Sequence, residues 1–415
     1  MYQFPQLEAE TASIGKPEWR PVLEYVARLH GCSTHAPSPP LPYPWEEIGP
    51  GYHLRPAFGH WDLVHQILDV LPTEPEHARH QILNDLSNQH EDGFLPGSIY
   101  LGKTQYDMGN LQGSAGDGAA RWSTNAGHPP FWPVAVDEWS RCTGSNELIE
   151  FALEPLVRQI RWFETNRAAE PVGFFYTDIS THLWESGVDE GIRFDETTQG
   201  KFACVDATPH IYELYTYAAA WKSLTGGDPT EFADKAAFLR DFIQNELFDD
   251  ETGWFYDIWA MHDPSQRRFA LEGIFPMVNG AATAEQAERV IANLLDPEKF
   301  FTAHPIPSVA VCEPKFELRM WRGPTWNSMT YWAARGCMRY GRPDAARQLL
   351  ERALDSTALE FSRSGQIWEF YHPFGGDPAT VARKPQTDKN QPCNDYLGHN
   401  PLIAMTRLYE ATGHT

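Results

Sequence analysis

Residues 207–226 read ATPHIYELYTYAAAWKSLTG, and residues 232–255 read FADKAAFLRDFIQNELFDDETGWF. The first stretch is apolar and aromatic nearly all round, which is the pattern of a helix buried on every side. It stops at Thr225-Gly226, where glycine offers a left-handed C-cap. The second stretch repeats its apolar residues at the 3.6-residue period and is charged on its other side, so it predicts an outer, half-exposed helix. It leads into Gly253-Trp254-Phe255, a loop that opens with glycine and aromatics.

The same unit recurs along the chain. Aromatic stretches over 60–71, 130–142, 325–340 and 395–412 are matched by amphipathic ones over 76–89, 148–166, 284–295 and 344–359. Further aromatic stretches end at Gly144, Gly341 and Gly413, and further loops open at Gly93-Phe94, Gly173-Phe174-Phe175 and Gly365-Gln366-Ile367-Trp368. Repeated about six times, an inner helix, a tight turn, an outer helix and a long loop make two concentric rings of helices. The expected fold is therefore all-α, a single (α/α)6 toroid over 1–415 with its long loops on one rim. Residues 1–50 are read as an N-terminal helix and a proline-rich connector (37–44) packed on it. The stretch 103–127, rich in Gly, Ser, Asn and Asp, has the composition of a lid or mobile loop.

With 33 basic and 56 acidic side chains the net charge is −23, which argues against nucleic acid or an anionic membrane as partner. No apolar run reaches the roughly 18 residues of a membrane span. The N-terminus lacks the apolar core of a secretory signal. The six cysteines are scattered, without a C-x-x-C pair, and read as thiols in a reducing compartment. A cytoplasmic protein is expected, acting on a small neutral or weakly charged molecule; a homo-oligomer stays open. No H-E-x-x-H, phosphate loop or G-x-S-x-G elbow is present, so neither a metal nor another cofactor is expected.

Two loop segments concentrate the chemistry. Trp184-Glu185-Ser186-Gly187-Val188-Asp189 leads to Arg193-Phe194-Asp195, and the second is Ile367-Trp368-Glu369-Phe370-Tyr371-His372-Pro373. Two carboxylates in separate aromatic-rich loops suit glycosidic bond cleavage, which needs an acid, a base or nucleophile, and flat faces for a sugar. Asp189 reads equally as a plain loop carboxylate paired with Arg193. Glu369, flanked by rings, is buried on this reading, and a buried carboxylate is paired, protonated or functional. Trp61-Asp62 reads either as a helix start, with Asp62 favourable at the positive end of the dipole, or as a carboxylate gripping sugar hydroxyls beside a ring. Trp321-Arg322-Gly323-Pro324-Thr325-Trp326 is either a tight turn before a helix or a rim loop with two indoles in the pocket. Asp206 reads as an N-cap before Ala207-Thr208-Pro209.

These segments together resemble glycoside hydrolase family 63 and the related trehalases. Trp184 to Asp189, followed by Arg193-Phe194-Asp195, is similar to the family's general-acid motif, and Trp321 to Trp326, followed by Tyr331, to its W-R-G-P-x-W motif. Asp296-Pro297, Phe300 and Pro305-Ile306-Pro307-Ser308 resemble a stretch between them. Trp61-Asp62 and Gln89-x-x-Asp92-Gly93 match its early motifs, and Trp368-Glu369-Phe370-Tyr371 falls where its base lies. By length the chain most resembles the compact enzymes that split mannosylglycerate or glucosylglycerate. The resemblance implies an inverting α-glycosidase with Asp189 as general acid and Glu369 as general base. It places Trp61, Asp62, Trp184, Gly187 and Trp326 around the terminal sugar, Trp321 and Arg322 near the leaving group, and Gly323 and Tyr371 at the same site. Two stretches depart from the pattern. His128-Pro129-Pro130 stands where relatives often have Gln-Pro-Pro, so His128 takes a sugar-binding amide's place, and 394–400 lacks the usual aromatic-tryptophan segment.

Two other classes compete. A sugar epimerase or isomerase on the same fold would rely on histidines such as His372 and His399. A carbohydrate-binding protein without catalysis would use the same aromatic loops. Fold alone does not choose among them.

Overall fold

The stretch 207–224 is one helix over its whole length, and Asp206 caps it by accepting the Ala207 N–H at 2.8 Å. It belongs to a computed structural model that describes residues 2–101, 111–114, 120–122, 126–181, 184–196 and 200–413. The described chain is mostly helical. In chain order its main helices begin with α1 (Pro5–Thr11), α2 (Arg20–Ser33), α3 (His60–Val70) and α4 (Pro75–Leu86). Then follow α5 (Trp132–Thr143), α6 (Glu147–Asn166), α7 (Ala207–Leu224) and α8 (Thr230–Glu246). The last are α9 (Phe275–Val278), α10 (Ala284–Leu294), α11 (Asn327–Arg339), α12 (Pro343–Ser364) and α13 (Leu402–Ala411).

The aromatic helices lie beside one another: α3 packs on α5, α7 on α9, α9 on α11, α11 on α13, and α13 back on α3. Between α5 and α7 the contact is made by rings, with Trp132 and Trp221 centred 6.1 Å apart. Each aromatic helix carries an amphipathic partner: α4 on α3, α6 on α5, α8 on α7, α10 on α9, α12 on α11 and α2 on α13. The turns between partners follow the sequence signals, since Gly144, Gly226 and Gly341 all have φ of 69–79° and a side chain at such a φ is strained. One apolar cluster runs through the described molecule from Phe4 in the N-terminal segment to Tyr409 in α13.

Three features differ from the sequence reading. The last aromatic stretch starts as a loop: Asp395 is left-handed (φ 48°), and α13 begins only after Pro401. That loop folds back on residue 48, whose carbonyl accepts the N–H groups of Leu397 and Gly398. The inner helix α9 has four residues, too few to show a period. A four-stranded antiparallel sheet, β1 (Ala57–Gly59), β2 (Ser98–Tyr100), β3 (Leu111–Ser114) and β4 (Ala120–Trp122), lies in the order β1-β2-β4-β3. Its strands are too short for alternation to be read, and Gly59 passes from β1 straight into α3. The lid expected over 103–127 falls largely outside the described residues; β3 and β4 lie within it. No helix of the described residues is long and apolar enough to cross a membrane.

A buried ionic node ties the loops to the helices. Arg193 gives Nη1 to Asp257 at 2.5 Å, Nε to Glu272 at 2.8 Å and Nη2 to Asp206, the cap of α7. Its partners come from three separate segments, and all four groups are buried. Removing one side of such a node strands the others without solvent. Arg193→Ala is therefore expected to lower stability by about 3–5 kcal/mol, read as a fall in the urea midpoint; a loss under about 1 kcal/mol would show that the node is not what ties these segments.

Candidate active site

The segment 184–189 is shaped by its own polar groups. Glu185 is buried and anchored by Arg167, which gives Nε to Oε2 and Nη2 to Oε1, each at 2.8 Å, while the Thr177 N–H donates to Oε2 at 2.7 Å. Ser186 donates its N–H and its hydroxyl to the two oxygens of buried Asp178 (2.9 and 2.8 Å), and its Oγ in turn accepts the Val188 N–H. Gly187 (φ 74°) then turns the chain, and a Cβ there would lie 3.3 Å from the Trp61 indole. Every polar residue before Asp189 is thus used to build the loop, and Asp189 is left facing a cavity. Arg193 belongs to the node described above, so the Asp189–Arg193 pair allowed by the sequence does not form. Asp189 Oδ2 instead accepts Lys384 Nζ at 3.0 Å, and that ammonium lies 4.6 Å from the Trp184 ring centre.

Glu369 enters from the other side on a strand-like segment. Its N–H bonds the Cys393 carbonyl at 2.8 Å, and the next bridge pairs Thr325 with Tyr371. The side chain is 2% exposed. Arg383 grips it with Nε to Oε2 (2.7 Å) and Nη2 to Oε1 (2.9 Å), and the Cys393 N–H adds a third bond to Oε2 at 3.1 Å. Burial opposes the charge, but the guanidinium and these hydrogen bonds outweigh it and hold the carboxyl below its ordinary value. Glu369 is accordingly a carboxylate.

Between them lies a cavity of about 220 Å³, small beside the roughly 300–1,000 Å³ of common ligand clefts. Trp61, Asp62, His128, Trp184, Gly187, Asp189, Trp321, Trp326 and Glu369 all line it. Trp321 and Trp326 are stacked in parallel, with centres 3.8 Å apart. His399 forms part of its floor: Trp61 Nε1–H donates to His399 Nε2 at 3.2 Å, so Nδ1 carries the proton and donates to Ser328 Oγ at 2.6 Å. Burial, with the His65 and His128 imidazoles nearby, keeps His399 neutral by holding its pKa well below the ordinary value. Tyr396 donates to Asp62 Oδ1 at 2.8 Å. Burial, aided by the charges of Glu369 and Asp189 and opposed by the Tyr396 hydrogen bond, pushes Asp62 up to about 7.

Three expected lining residues support the cavity from behind. Arg322 pairs with both oxygens of Asp195 (3.0 and 2.7 Å) and reaches the Glu190 carbonyl. The Gly323 N–H bonds Ser308 Oγ, and Tyr371 donates to Asn400 Oδ1 at 2.9 Å. All three bond buried or loop groups, and none of them lines the cavity. Gln89 is also structural, donating to the carbonyls of Gly93 and Pro155. Of the two histidines named for an epimerase, neutral His399 lines the cavity and His372 does not. Cys204, Asp206 and Asp257 lie close enough to hold a cation; the Arg193 guanidinium already supplies that positive charge. Residues unforeseen in the sequence also line the cavity: Tyr52, Tyr100, Arg383, Lys384, Lys389 and Tyr396. The adjacent cations Arg383-Lys384 in so acidic a chain were the available signal.

Residues 55–388 match the family model described as the mannosylglycerate hydrolase MGH1-like glycoside hydrolase domain. The mannosylglycerate hydrolase MGH1 of Selaginella moellendorffii is 23% identical over 397 aligned residues, covering 79% of this chain and 78% of its own. The GH63 mannosylglycerate hydrolase of Thermus thermophilus, solved in complex with Tris, superposes with a TM-score of 0.70 at 18% identity, over 93% of this chain and 99% of that one. The neutral trehalase Nth1 of Saccharomyces cerevisiae superposes at 0.62 with 13% identity, over 94% and 81%. At these identities the two structures speak for the fold.

Asp62 sets a pH test. Its carboxylate accepts hydroxyl hydrogen bonds better than its neutral form, so a hexose held there binds less tightly as pH falls through about 7. Inhibition by free hexose, measured from about pH 5.5 to 8.5, should weaken toward acid in the native protein and lose that dependence in Asp62→Asn. An unchanged profile in the variant would assign the titration to another group.

Proposed function

The chain belongs to the mannosylglycerate hydrolase MGH1-like glycoside hydrolase family, within glycoside hydrolase family 63, and we propose that this glycoside hydrolase removes the terminal hexose from a small α-glycoside with an acidic leaving group. Glycosides of glyceric acid, α-glucosyl or α-mannosyl, are the class in view. The reading rests on an (α/α)6 toroid whose long loops share one rim, supported by the closed succession of aromatic helices, each with an outer partner.

The observation that carries the proposal is the partition of charge in the cavity. Asp62, Asp189 and Glu369 line it together with Arg383, Lys384 and Lys389. A general acid stands beside the oxygen it protonates, so the groups around Asp189 face the leaving group. Lys384 touches Asp189, and Lys389 lines the same cavity. A carboxylate on the leaving group meets two ammonium groups there, in a protein whose net charge of −23 repels anions elsewhere. The mannosylglycerate hydrolase of similar fold has also been solved with Tris and D-glycerate.

In the reaction Asp189 donates its proton to the leaving oxygen. Glu369 takes a proton from a water, and that water attacks the anomeric carbon from the opposite face. Arg383 keeps Glu369 charged and fixes its orientation. The stacked indoles and Trp61 offer flat faces to the ring, and Asp62 with Tyr396 meets its hydroxyls. The small cavity suits trimming of ends over cutting within chains.

Asp189→Asn and Glu369→Gln should each reduce turnover by about 10²–10⁴, measured below the melting temperature, which Glu369→Gln lowers by leaving buried Arg383 without its counter-charge. Proton NMR of the first-formed sugar should show the β-anomer before mutarotation. An α-anomer would make Glu369 a nucleophile, and near-native turnover in either variant would remove that residue from the chemistry.

A further inference from the structure

Arg383 and Lys384 are neighbours in sequence, and each holds one of the two carboxylates assigned to the reaction. Arg383 on Glu369 favours catalysis, since a base must be ionised. Lys384 on Asp189 does the reverse. Its ammonium engages Oδ2 at 3.0 Å as an acceptor, whereas a general acid must present a proton. The ammonium therefore occupies an oxygen of the group that has to deliver the proton.

The backbone under Lys384 is fixed. Ala382 bridges to Arg319, Met320 N–H bonds the Ala382 carbonyl at 3.0 Å, and Arg383 N–H bonds Asn390 Oδ1 at 3.1 Å. The Lys384 carbonyl accepts the Thr387 N–H and hydroxyl. What remains free to move is the four-carbon stem, which crosses the Trp184 ring and ends partly exposed, at 17%, in the cavity. Lysine suits such a post, being a point charge on a flexible stem that re-aims at little cost.

We propose that Lys384 is a specificity latch: it occupies Asp189 until a carboxylate on the leaving group draws the ammonium away, and only then is Asp189 free to carry the proton it delivers. Resting on the acidic-glycoside reading above, this makes the leaving group's charge a requirement of the chemical step as well as of binding. Neutral glycosides of the same sugar enter the cavity and leave the latch closed. Selection then falls on kcat, where a simple binding cation would act through KM.

The test compares Lys384→Met, which keeps the stem over Trp184, with Lys384→Arg, which keeps the charge. Each is assayed beside the native enzyme on the α-glycoside of glyceric acid and on that of glycerol, with kcat and KM measured separately for each sugar. The native enzyme should turn over the acidic glycoside at least about 10-fold faster. Lys384→Met should raise kcat on the glycerol glycoside about 10-fold and raise KM on the acidic one, bringing the two kcat values together. Lys384→Arg should keep the native preference. A Lys384→Met variant whose kcat on the neutral glycoside stays the same or falls, with an unchanged melting temperature, overturns the latch and leaves the acidic-glycoside reading standing. A native enzyme that prefers the glycerol glycoside overturns both. A variant with a lowered melting temperature is judged by the ratio of the two kcat values at a temperature where it is folded, and an unmoved ratio again overturns the latch.

Discussion

A carboxylate at 2% exposure has to be paired, and Glu369 is paired by Arg383. Leaving either charge alone in that place would cost several kcal/mol. The pairing has consequences beyond the two residues. It draws the segment around Arg383 across the cavity, where it meets the Glu369 strand through Cys393, whose N–H and carbonyl both bond Glu369. It places Lys384, one residue on, against Asp189. Glu369, Asp189 and the cations beside them are thus set by one ion pair and the backbone that supplies it.

The floor of the cavity answers a second constraint, that buried indoles need partners for their N–H groups. Trp61 donates to His399, and Trp332 donates to His65 at 2.8 Å. His65 in turn gives Nδ1–H to the Gly398 carbonyl at 2.5 Å. Each imidazole accepts an indole proton on one nitrogen and donates with the other, so both are neutral and their tautomers are set. The loop 394–400 is held by these bonds and by Tyr396 on Asp62. The stretch that departs from the family pattern therefore lines the cavity, through Tyr396 and His399.

Strain gathers in the same place. Of the four non-glycine residues with positive φ among the described residues, Glu190, Met320 and Asp395 lie here and Ile306 elsewhere. Glu190 follows Asp189, Met320 lines the cavity, and Asp395 precedes the Tyr396–His399 floor. Such conformations cost on the order of 1–3 kcal/mol each and persist where surrounding bonds over-determine them. Arg319 on Glu190, the Ala382 carbonyl on Met320, and Tyr25 on Asp395 are those bonds here.

The sequence by itself determined the helical character, the alternation of aromatic and amphipathic helices, and the family. The helical period spans many residues, so 207–224 and 148–166 could be read almost to their ends. It also marked both carboxylate segments, because a serine-glycine turn among charges and a glutamate between rings are locally unusual. Only the tertiary structure decided the partners. Asp189 has Lys384 where Arg193 stood nearer in sequence, and Arg322, Gly323 and Tyr371 support the site from behind. The short strands and α9 also escaped notice, having too few residues to show a period. Partners such as Arg383 for Glu369 and His399 for Trp61 are set by which buried groups must be satisfied once the helices have packed. That requirement acts through space, and no local pattern in the chain carries it.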